Sequence, residues 1–274
     1  GEPVSFEAEY DPLDSWFDVR AYPDDGGLSV FLRDVTERRT QEQALERRAR
    51  TLRRMHDVIA DRSRSFEGQV RALLELGTET LDTSYGALAR TDGDDWVGEV
   101  VHPSDGELAD GTQLALSETV CERTATTADT VVAGDLSHDH PELASRSAVA
   151  ERGFACYLGA PVEVDGDVYG TFCFYGEGTR DAFDDWEVSL VDVMSRWVGG
   201  ELERQRQNER LERFASFVSH DLRGPLSVLR GRIDLAEETG DPEQFAACRD
   251  AVGRINTIVD DLLALTRAGD GPEE

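Results

Sequence analysis

The alternation of apolar and polar positions near the start of the chain predicts three short strands. These predicted strands are Val4–Tyr10, Trp16–Tyr22 and Leu28–Val35. Turn-forming residues separate them, with Asp11-Pro12 at the first joint and Asp24-Asp25-Gly26-Gly27 at the second. A period of two residues is typical of strands, and Asp, Gly and Pro favour turns. We therefore predict a β-meander over residues 1–37.

Residues 38–65 contain neither Gly nor Pro and are rich in Arg, Glu and Gln, which favours a helix. The apolar positions have near-heptad spacing: Leu45, Ala49, Leu52, Ile59 and Phe66. Such a narrow stripe is typical of a two-stranded coiled coil or of a solvated connecting helix. Because Arg48 and Arg62 interrupt the stripe, we expect a short, weak parallel coiled coil.

Helix and strand patterns alternate over residues 66–200. The predicted helices are Phe66–Leu81, Glu118–Thr126 and Glu142–Arg152. The predicted strands are Tyr85–Arg90, Trp96–His102, Thr130–Ala133, Phe154–Val164 and Val168–Tyr175. Asp165-Gly166-Asp167, between the last two strands, is a hairpin signal. This order of elements predicts an α+β domain with one antiparallel sheet.

The last part of the chain has helical periodicity in two segments. The first is a long helix from Asp184 onward, whose apolar positions are Val191, Met194, Val198 and Leu202, then Leu211, Ala215, Val218 and Leu222. The second has Phe245, Cys248, Val252, Ile255, Val259, Leu262 and Thr266. Thr239-Gly240 ends the first helix, while Asp241, Pro242 and Gln244 suit the first turn of the second.

Each of these two helices has a single apolar stripe, which an isolated helical hairpin leaves partly exposed. We therefore expect residues 201–268 to form an antiparallel hairpin that pairs with a second copy in a four-helix bundle. Residues 269–274 form a polar tail. The predicted fold class is a multidomain α+β chain: a β-meander, an α/β domain with an antiparallel sheet, then a long helix and its hairpin.

The composition excludes some functions. The net charge is −29 and the pI is about 4.4, whereas a nucleic-acid-binding protein needs a basic face. All 28 basic residues are arginine, and such an acidic, lysine-free composition is typical of proteins of salt-in halophilic archaea. At molar salt the Debye length is about 3 Å, so dense carboxylates repel each other weakly. The charge thus indicates adaptation to solvent, with no nucleic-acid partner.

The sequence shows no targeting or membrane signal. No run approaches the roughly 18 apolar residues of a membrane span. We therefore expect a cytoplasmic protein without a membrane partner. Its cysteines, Cys121, Cys156, Cys173 and Cys248, are far apart in sequence and predict neither a zinc site nor a disulfide framework. The chain begins at Gly1, next to a strand-like segment, so we expect it to be part of a longer protein.

Two segments of the first 200 residues resemble known sensor families. Trp16-Phe17-Asp18-Val19-Arg20 and Asp34-Val35-Thr36-Glu37-Arg38-Arg39 resemble the C-terminal strands of a PAS domain. Ala133-Gly134-Asp135-Leu136, the segment 153–162 and Gly170-Thr171-Phe172-Cys173-Phe174 resemble a GAF domain. The resemblance implies residues 1–37 as a PAS remnant, 38–65 as a helical linker and 66–200 as a GAF sensor.

The GAF family binds small molecules, including cyclic nucleotides and bilins, or serves as a dimerising relay. No residue set here selects a ligand, so the GAF ligand stays unknown. Cys121, Cys156 and Cys173 are candidate chromophore anchors, but small buried cysteines are the commoner case. His138 and His140 have metal-ligand spacing beside carboxylates. A solvated polar loop is the favoured interpretation of that segment, and we assign no metal.

The segment from Phe214 to Leu226 is the most specific motif in the chain. It resembles the H-box of the histidine-kinase dimerisation and phospho-acceptor domain. The resemblance implies that His220 is the phospho-acceptor and that Asp221 has a base-like, orienting role. Arg223 is a weaker candidate for contacting phosphate, and Pro225 should bend the helix. Heptad spacing places His220 at an outward f position when Ala215 and Leu222 occupy a positions.

A neutral imidazole is a good nucleophile near neutral pH, so His220 is suited to attack the γ-phosphorus of ATP. The resemblance implies a homodimeric histidine kinase of a two-component phosphorelay, whose partners are an ATP-binding domain and a response regulator receiver domain. The chain contains no phosphate-binding loop, and we expect the ATP-binding domain to lie outside it. Four residues after the histidine, where this family usually has Thr or Asn, the chain has Gly224.

Two alternative functions remain open from the sequence. One is a non-catalytic sensor or scaffold, in which the GAF domain binds a ligand and the hairpin only dimerises. The other is a GAF-containing transcriptional regulator. A regulator of that kind needs a basic recognition helix, and the acidic hairpin at residues 211–267 offers none.

Overall fold

The computed structural model describes residues 2–24, 26–104, 108–240 and 242–268. The chain divides into two compact units, Gly1–Gly200 and Glu201–Glu274. The first unit contains two antiparallel sheets with helices, and the second is helical. The predicted α+β fold class is therefore confirmed.

The predicted β-meander forms the first sheet. Its strands are β1 (Val4–Tyr10), β2 (Ser15–Asp24) and β3 (Gly27–Asp34), paired antiparallel in the order β1-β2-β3. A 3₁₀ turn, Asp11–Leu13, joins the first two strands. The predicted strands are confirmed, while the assignment of this sheet to the PAS family stays a prediction.

The predicted linker helix is shorter than expected. α1 (Thr36–Ala60) ends before the chain reaches Phe66, because Asp61 accepts hydrogen bonds from the backbone N–H and the hydroxyl of Ser63, at 3.0 and 2.6 Å. The apolar stripe predicted to continue to Phe66 is thus interrupted, and Phe66 begins the next helix. Arg48 pairs with Asp184 at 2.8 Å, which explains an arginine within the stripe.

The second sheet and its helices occupy the rest of the first unit. The elements are α2 (Phe66–Leu81), β4 (Tyr85–Asp92), β5 (Asp95–His102), β6 (Gln113–Ala115), a 3₁₀ turn (Leu116–Glu118), α3 (Cys121–Thr127), β7 (Val131–Ala133), α4 (Leu136–Asp139), α5 (Pro141–Ala144), α6 (Ser147–Ala150), β8 (Cys156–Val164) and β9 (Asp167–Gly176). The strand order is β6-β5-β4-β9-β8-β7, with antiparallel neighbours.

The hairpin between β8 and β9 has the predicted turn. Asp165 and Gly166 have φ values of 55° and 85°, and positive φ at both central residues is what a tight two-residue hairpin turn requires. The long helix α2 has its predicted bounds, and its apolar face is buried, with Leu73, Leu74 and Leu81 fully inaccessible. These elements were predicted because their periodicity is long and their turn residues are specific.

The prediction of one continuous helix at Glu142–Arg152 is wrong. The structure has two short helices there, α5 and α6, separated at Arg146, whose ψ is 140°. Arg146 donates to the carbonyl of Thr119 and pairs with Glu122, both at 2.5 Å. Glu118 accepts from the backbone N–H of Ser147 at 3.0 Å. These tertiary contacts extend the backbone at Arg146 and override local helix propensity.

The helix α7 (Asp185–Thr239) begins in the first unit. Within that unit its buried residues are Leu190, Val191, Met194, Ser195, Val198 and Gly199. A Cβ atom at Gly199 would overlap the carbonyl oxygen of Glu163 in β8, whereas a Cβ at Gly200 would meet nothing within 4 Å. Gly199 is thus the position where this helix approaches the backbone of the sheet closely.

We expect these adjacent glycines to respond oppositely to alanine. Gly200→Ala should raise the free energy of unfolding by about 0.5–1 kcal/mol, because alanine is the better helix former. Gly199→Ala should lower it by about 1–3 kcal/mol, because the methyl group displaces β8. Urea denaturation of the two variants measures both changes. Equal effects of the same sign would contradict this packing.

The second unit contains the remainder of α7 and the helix α8 (Pro242–Ala268). Gly240 follows α7 with a φ of +66°, so the predicted helix break at Thr239-Gly240 is confirmed. The Cys248 sulfur lies 4.0 Å from the Leu229 carbonyl oxygen, so α8 packs on α7 as a hairpin. The predicted cap at Asp241 and the side chain of Gln244 lie outside the described residues.

Within the described ranges, no helix is both long enough and apolar enough to cross a lipid bilayer.

Candidate phospho-acceptor site

The helix α7 presents His220 to solvent. The His220 side chain is 88% exposed, while that of Asp221 is 36% exposed. The Nδ1 atom of His220 lies 3.0 Å from the Oδ1 atom of Asp221. The motif places these side chains next to each other on a helix, so their pairing needs no contact from elsewhere in the fold.

This pair has a clear chemical consequence. When Nδ1 carries the ring proton, it donates to Asp221, and Nε2 is left unprotonated with its lone pair facing away from the carboxylate. The carboxylate also favours positive charge on the ring, which develops when Nε2 forms a bond to an electrophile. The arrangement therefore supports a solvent-facing nucleophile with a defined tautomer.

The other residues of the motif are placed as follows. Arg223 is exposed, and Pro225 lies inside α7 with helix on both sides. Because proline has no N–H, residue 225 cannot donate the usual helical hydrogen bond to the carbonyl of Asp221. The predicted bend at Pro225 stays a prediction. The side chain of Val218, which the heptad reading places at a d position, lies outside the described residues.

A small, partly open cavity lies between the GAF-like sheet and α6. Its volume is about 20 Å³, room for about one water molecule. Tyr85, Trp96, Phe154 and Tyr175 are among the residues that line it, and the Nε1 atom of Trp96 has no hydrogen-bond partner there. A bilin or a nucleotide needs a far larger space, so the cavity in this conformation identifies no ligand.

In the loop that contains His138 and His140, the carboxylates accept hydrogen bonds from the backbone of the loop itself. Asp135 accepts from the backbone N–H of Ser137 at 3.0 Å, and Asp139 accepts from that of Gly134 at 3.0 Å. His140 lies 3.1 Å from an Arg123 nitrogen. Among the described residues, no group of His, Cys, Asp and Glu has a metal-binding arrangement.

Sequence spacing did not reveal that Cys121 and Cys173 meet. Their sulfur atoms lie 3.5 Å apart, although the residues are 52 positions apart in the chain. Cys156 is buried elsewhere in the same unit. The juxtaposition depends on how α3 packs on β9, and no sequence pattern reports that packing.

Two family matches agree with these observations. Residues 65–202 match the GAF domain family, and residues 210–271 match the His Kinase A (phospho-acceptor) domain. A sensor fold followed by a helical hairpin with an exposed histidine defines the class, the sensor histidine kinases. The chain belongs to the GAF domain family, whose model matches half of it, and it carries a phospho-acceptor domain.

One curated relative is the methanogenesis regulatory histidine kinase FilI of Methanothrix harundinacea (strain 6Ac). It is 29% identical over 171 residues, which are 51% of this chain and 19% of the relative. The chain thus spans about one fifth of the length of that relative.

Two solved GAF domains are similar to part of this chain. The GAF domain of a phosphoenolpyruvate-protein phosphotransferase from Coxiella burnetii has a TM-score of 0.51 at 16% identity, covering 60% of this chain and 96% of its own. The Acinetobacter counterpart has a TM-score of 0.49 at 15% identity, covering 60% and 97%. At such identity the Coxiella likeness shows the fold alone, a GAF fold.

Proposed function

We propose that His220 accepts the γ-phosphoryl group of ATP and passes it to an aspartate of a response regulator. The observation that carries this proposal is the exposed imidazole whose Nδ1 atom lies 3.0 Å from Asp221. An outward position lets two large protein surfaces reach the same ring in turn. The first delivers ATP, and the second receives the phosphoryl group.

In the first step Nε2 of His220 attacks the γ-phosphorus in line with the bond to the bridging oxygen. The N–P bond forms, the P–O bond breaks, and ADP leaves with the bonding electrons. Asp221 holds the Nδ1 proton and offsets the positive charge that develops on the ring. In the second step a carboxylate oxygen of the regulator attacks phosphorus, and the N–P bond breaks.

A homodimer fits the surface of the second unit. Within the described residues, large apolar side chains are exposed on both helices: Leu211, Phe214, Leu226, Val228, Ile233, Leu235, Val252 and Val259. A second copy would cover part of this exposed apolar surface by forming a four-helix bundle. The phosphorelay proposed here also needs the family's ATP-binding domain and a receiver domain as partners. Because ATP and response regulators are in the cytoplasm, we place the protein there as well.

The proposal is tested by supplying an ATP-binding domain in trans. The full chain is incubated with [γ-³²P]ATP and a histidine-kinase ATP-binding domain added in trans. We expect label that is lost in acid and kept in alkali, which is the behaviour of a phosphoramidate. Absence of label, when the same ATP-binding domain labels its own acceptor domain, would favour the alternative of a non-catalytic sensor or scaffold.

Asp221→Asn should slow phosphoryl acceptance while the helix stays folded. The amide no longer offers a negative charge to the developing imidazolium, and proton-handling groups contribute on the order of 10²–10⁴-fold to such steps. The matched control is Asp57→Asn, because His56 and Asp57 form a similar exposed pair on α1, with a separation of 3.6 Å. The initial rate of labelling measures both variants, and equal rates for the two would contradict the role of Asp221.

Gly224 should make this protein a poor phosphatase toward its regulator. A Cβ atom at Gly224 would meet nothing within 4 Å, so a side chain fits there without rearrangement. Gly224→Thr and Gly224→Asn add a side-chain hydrogen-bonding group four residues after His220, which can orient an attacking water. We expect faster decay of the phosphorylated regulator with these variants than with Gly224→Ala. Equally fast decay with the unaltered chain would contradict the prediction.

A further inference from the structure

A cluster of thiol and hydroxyl groups lies in the core of the first unit, between α3 and strands β8 and β9. Cys121 begins α3, and Cys173 is in β9. Both side chains are fully buried, and their sulfur atoms are 3.5 Å apart. The proposed phosphorelay makes no use of this pair.

Two tyrosines complete the cluster. The hydroxyl of Tyr175 lies 2.9 Å from the Cys121 sulfur, and that of Tyr157 lies 3.6 Å from it. Tyr157 is itself within 3.1 Å of the Thr124 hydroxyl. The Cys121 sulfur is therefore surrounded by groups that can donate hydrogen bonds to it, which favours its ionised form.

The members of the cluster differ in acidity. Burial raises the pKa of the Cys173 thiol and of the two tyrosine hydroxyls well above their usual ranges. Burial also acts to raise the pKa of Cys121, but hydrogen bonds led by that of Cys173 outweigh it and lower the pKa to about 6. Two tyrosine hydroxyls face the Cys121 sulfur, whereas a backbone carbonyl oxygen faces that of Cys173, so Cys121 is the thiol whose ionised form is better stabilised, and a thiolate is the form that reacts with oxidants.

We propose that Cys121 and Cys173 are a redox-active pair that forms a reversible disulfide when hydrogen peroxide oxidises Cys121. The Cys121 thiolate attacks one peroxide oxygen, the O–O bond breaks, and the departing hydroxide takes up a proton to become water. This leaves a sulfenic acid on Cys121. The Cys173 sulfur then attacks the Cys121 sulfur, the S–O bond breaks, and a second water leaves. The sum is two thiols and one peroxide converted to one disulfide and two waters.

The geometry requires a small movement. The sulfur atoms must approach from 3.5 Å to the disulfide length of about 2.05 Å. Cys121 is at the first residue of a helix of seven residues, which can shift more easily than a central strand. Once formed, the bond would fix α3 to the middle of the sheet.

A cavity near the pair offers space for a small oxidant. The cavity of about 20 Å³ is lined by Tyr175 and Ala87 among others. Each of these residues also contacts the pair, Tyr175 through its hydroxyl to Cys121 and Ala87 through its carbonyl oxygen, 3.6 Å from the Cys173 sulfur. Peroxide is close to water in size, so it suits this space better than a bulky oxidant does.

The test is to treat the full chain with hydrogen peroxide, denature it and count free thiols. We expect two of the four thiols to be lost and to return after dithiothreitol. Peptide mapping without reductant should find Cys121 linked to Cys173. The control Cys156→Ser should lose the same two thiols, because Cys156 is buried apart from the pair and burial raises the pKa of its thiol.

Cys173→Ser removes the resolving thiol and keeps a similar shape. In this variant dimedone should capture a sulfenic acid on Cys121, and the linked peptide should disappear. Thiols that all survive peroxide, or a link that instead joins Cys156 or Cys248, would overturn the proposal. The measurement needs no kinase activity, so its outcome is independent of the role of His220.

Discussion

Replacing His220 with glutamine should reduce phosphoryl acceptance to background. Glutamine is polar and a good helix former, but its amide nitrogen has no lone pair available for attack on phosphorus. The neighbouring Asp221 and Arg223 offer a carboxylate and a guanidinium group, neither of which has a nitrogen lone pair for this attack. The expected loss is the full signal, with unchanged helix content by circular dichroism.

The matched control is His56→Gln. His56 is also on a helix, is 78% exposed and has an aspartate as its next residue, with 3.6 Å between Nδ1 of His56 and Oδ1 of Asp57. It therefore shares exposure and local chemistry with His220 but lies outside the phospho-acceptor motif. Label that falls equally in both variants, or that persists in His220→Gln, would show that the acceptor is another residue.

Phe174→Ala should strongly destabilise the GAF fold. The Phe174 ring is fully buried and lies against Gly77 of α2 and Gly86 of β4, where an added Cβ atom would overlap the ring or crowd it. Neither glycine has a side chain that could move into the cavity left by alanine, so that cavity cannot collapse readily. We expect a loss of about 3–5 kcal/mol in the free energy of unfolding.

Tryptophan fluorescence during urea denaturation measures this loss, because all four tryptophans lie in the first unit. The control is Phe31→Ala in β3, where the ring is 63% exposed, and we expect a change within about 1 kcal/mol. A small effect of Phe174→Ala, comparable to that of Phe31→Ala, would contradict the packing described for α2 and the sheet.

The sequence predicted those elements that are determined by residues close together in the chain. The hairpin at Asp165-Gly166 follows from two residues that tolerate positive φ, and α2 follows from a long amphipathic pattern. The placement of His220 beside Asp221 was predictable for the same reason, while their roles stay a prediction. His220 and Asp221 are neighbours on one helix, so a linear motif specifies both their identity and their geometry.

The elements that sequence reasoning missed depend on tertiary contacts. Strand β6 has three residues, too few for a period to be visible. The break at Arg146 comes from its pairing with Glu122 and from its hydrogen bond to Thr119. The contact between Cys121 and Cys173 likewise requires α3 to pack on β9. Because of this contact, the two residues are a candidate redox pair and not merely inert core cysteines.

The most direct test of the central claim is to locate the phosphoryl group itself. The full chain is phosphorylated by an added ATP-binding domain, digested at neutral or alkaline pH and mapped by mass spectrometry. We predict a single acid-labile phosphate, on His220, within the peptide that contains Asp221. A phosphate that is stable in acid, or one that maps to a residue other than His220, would contradict the account.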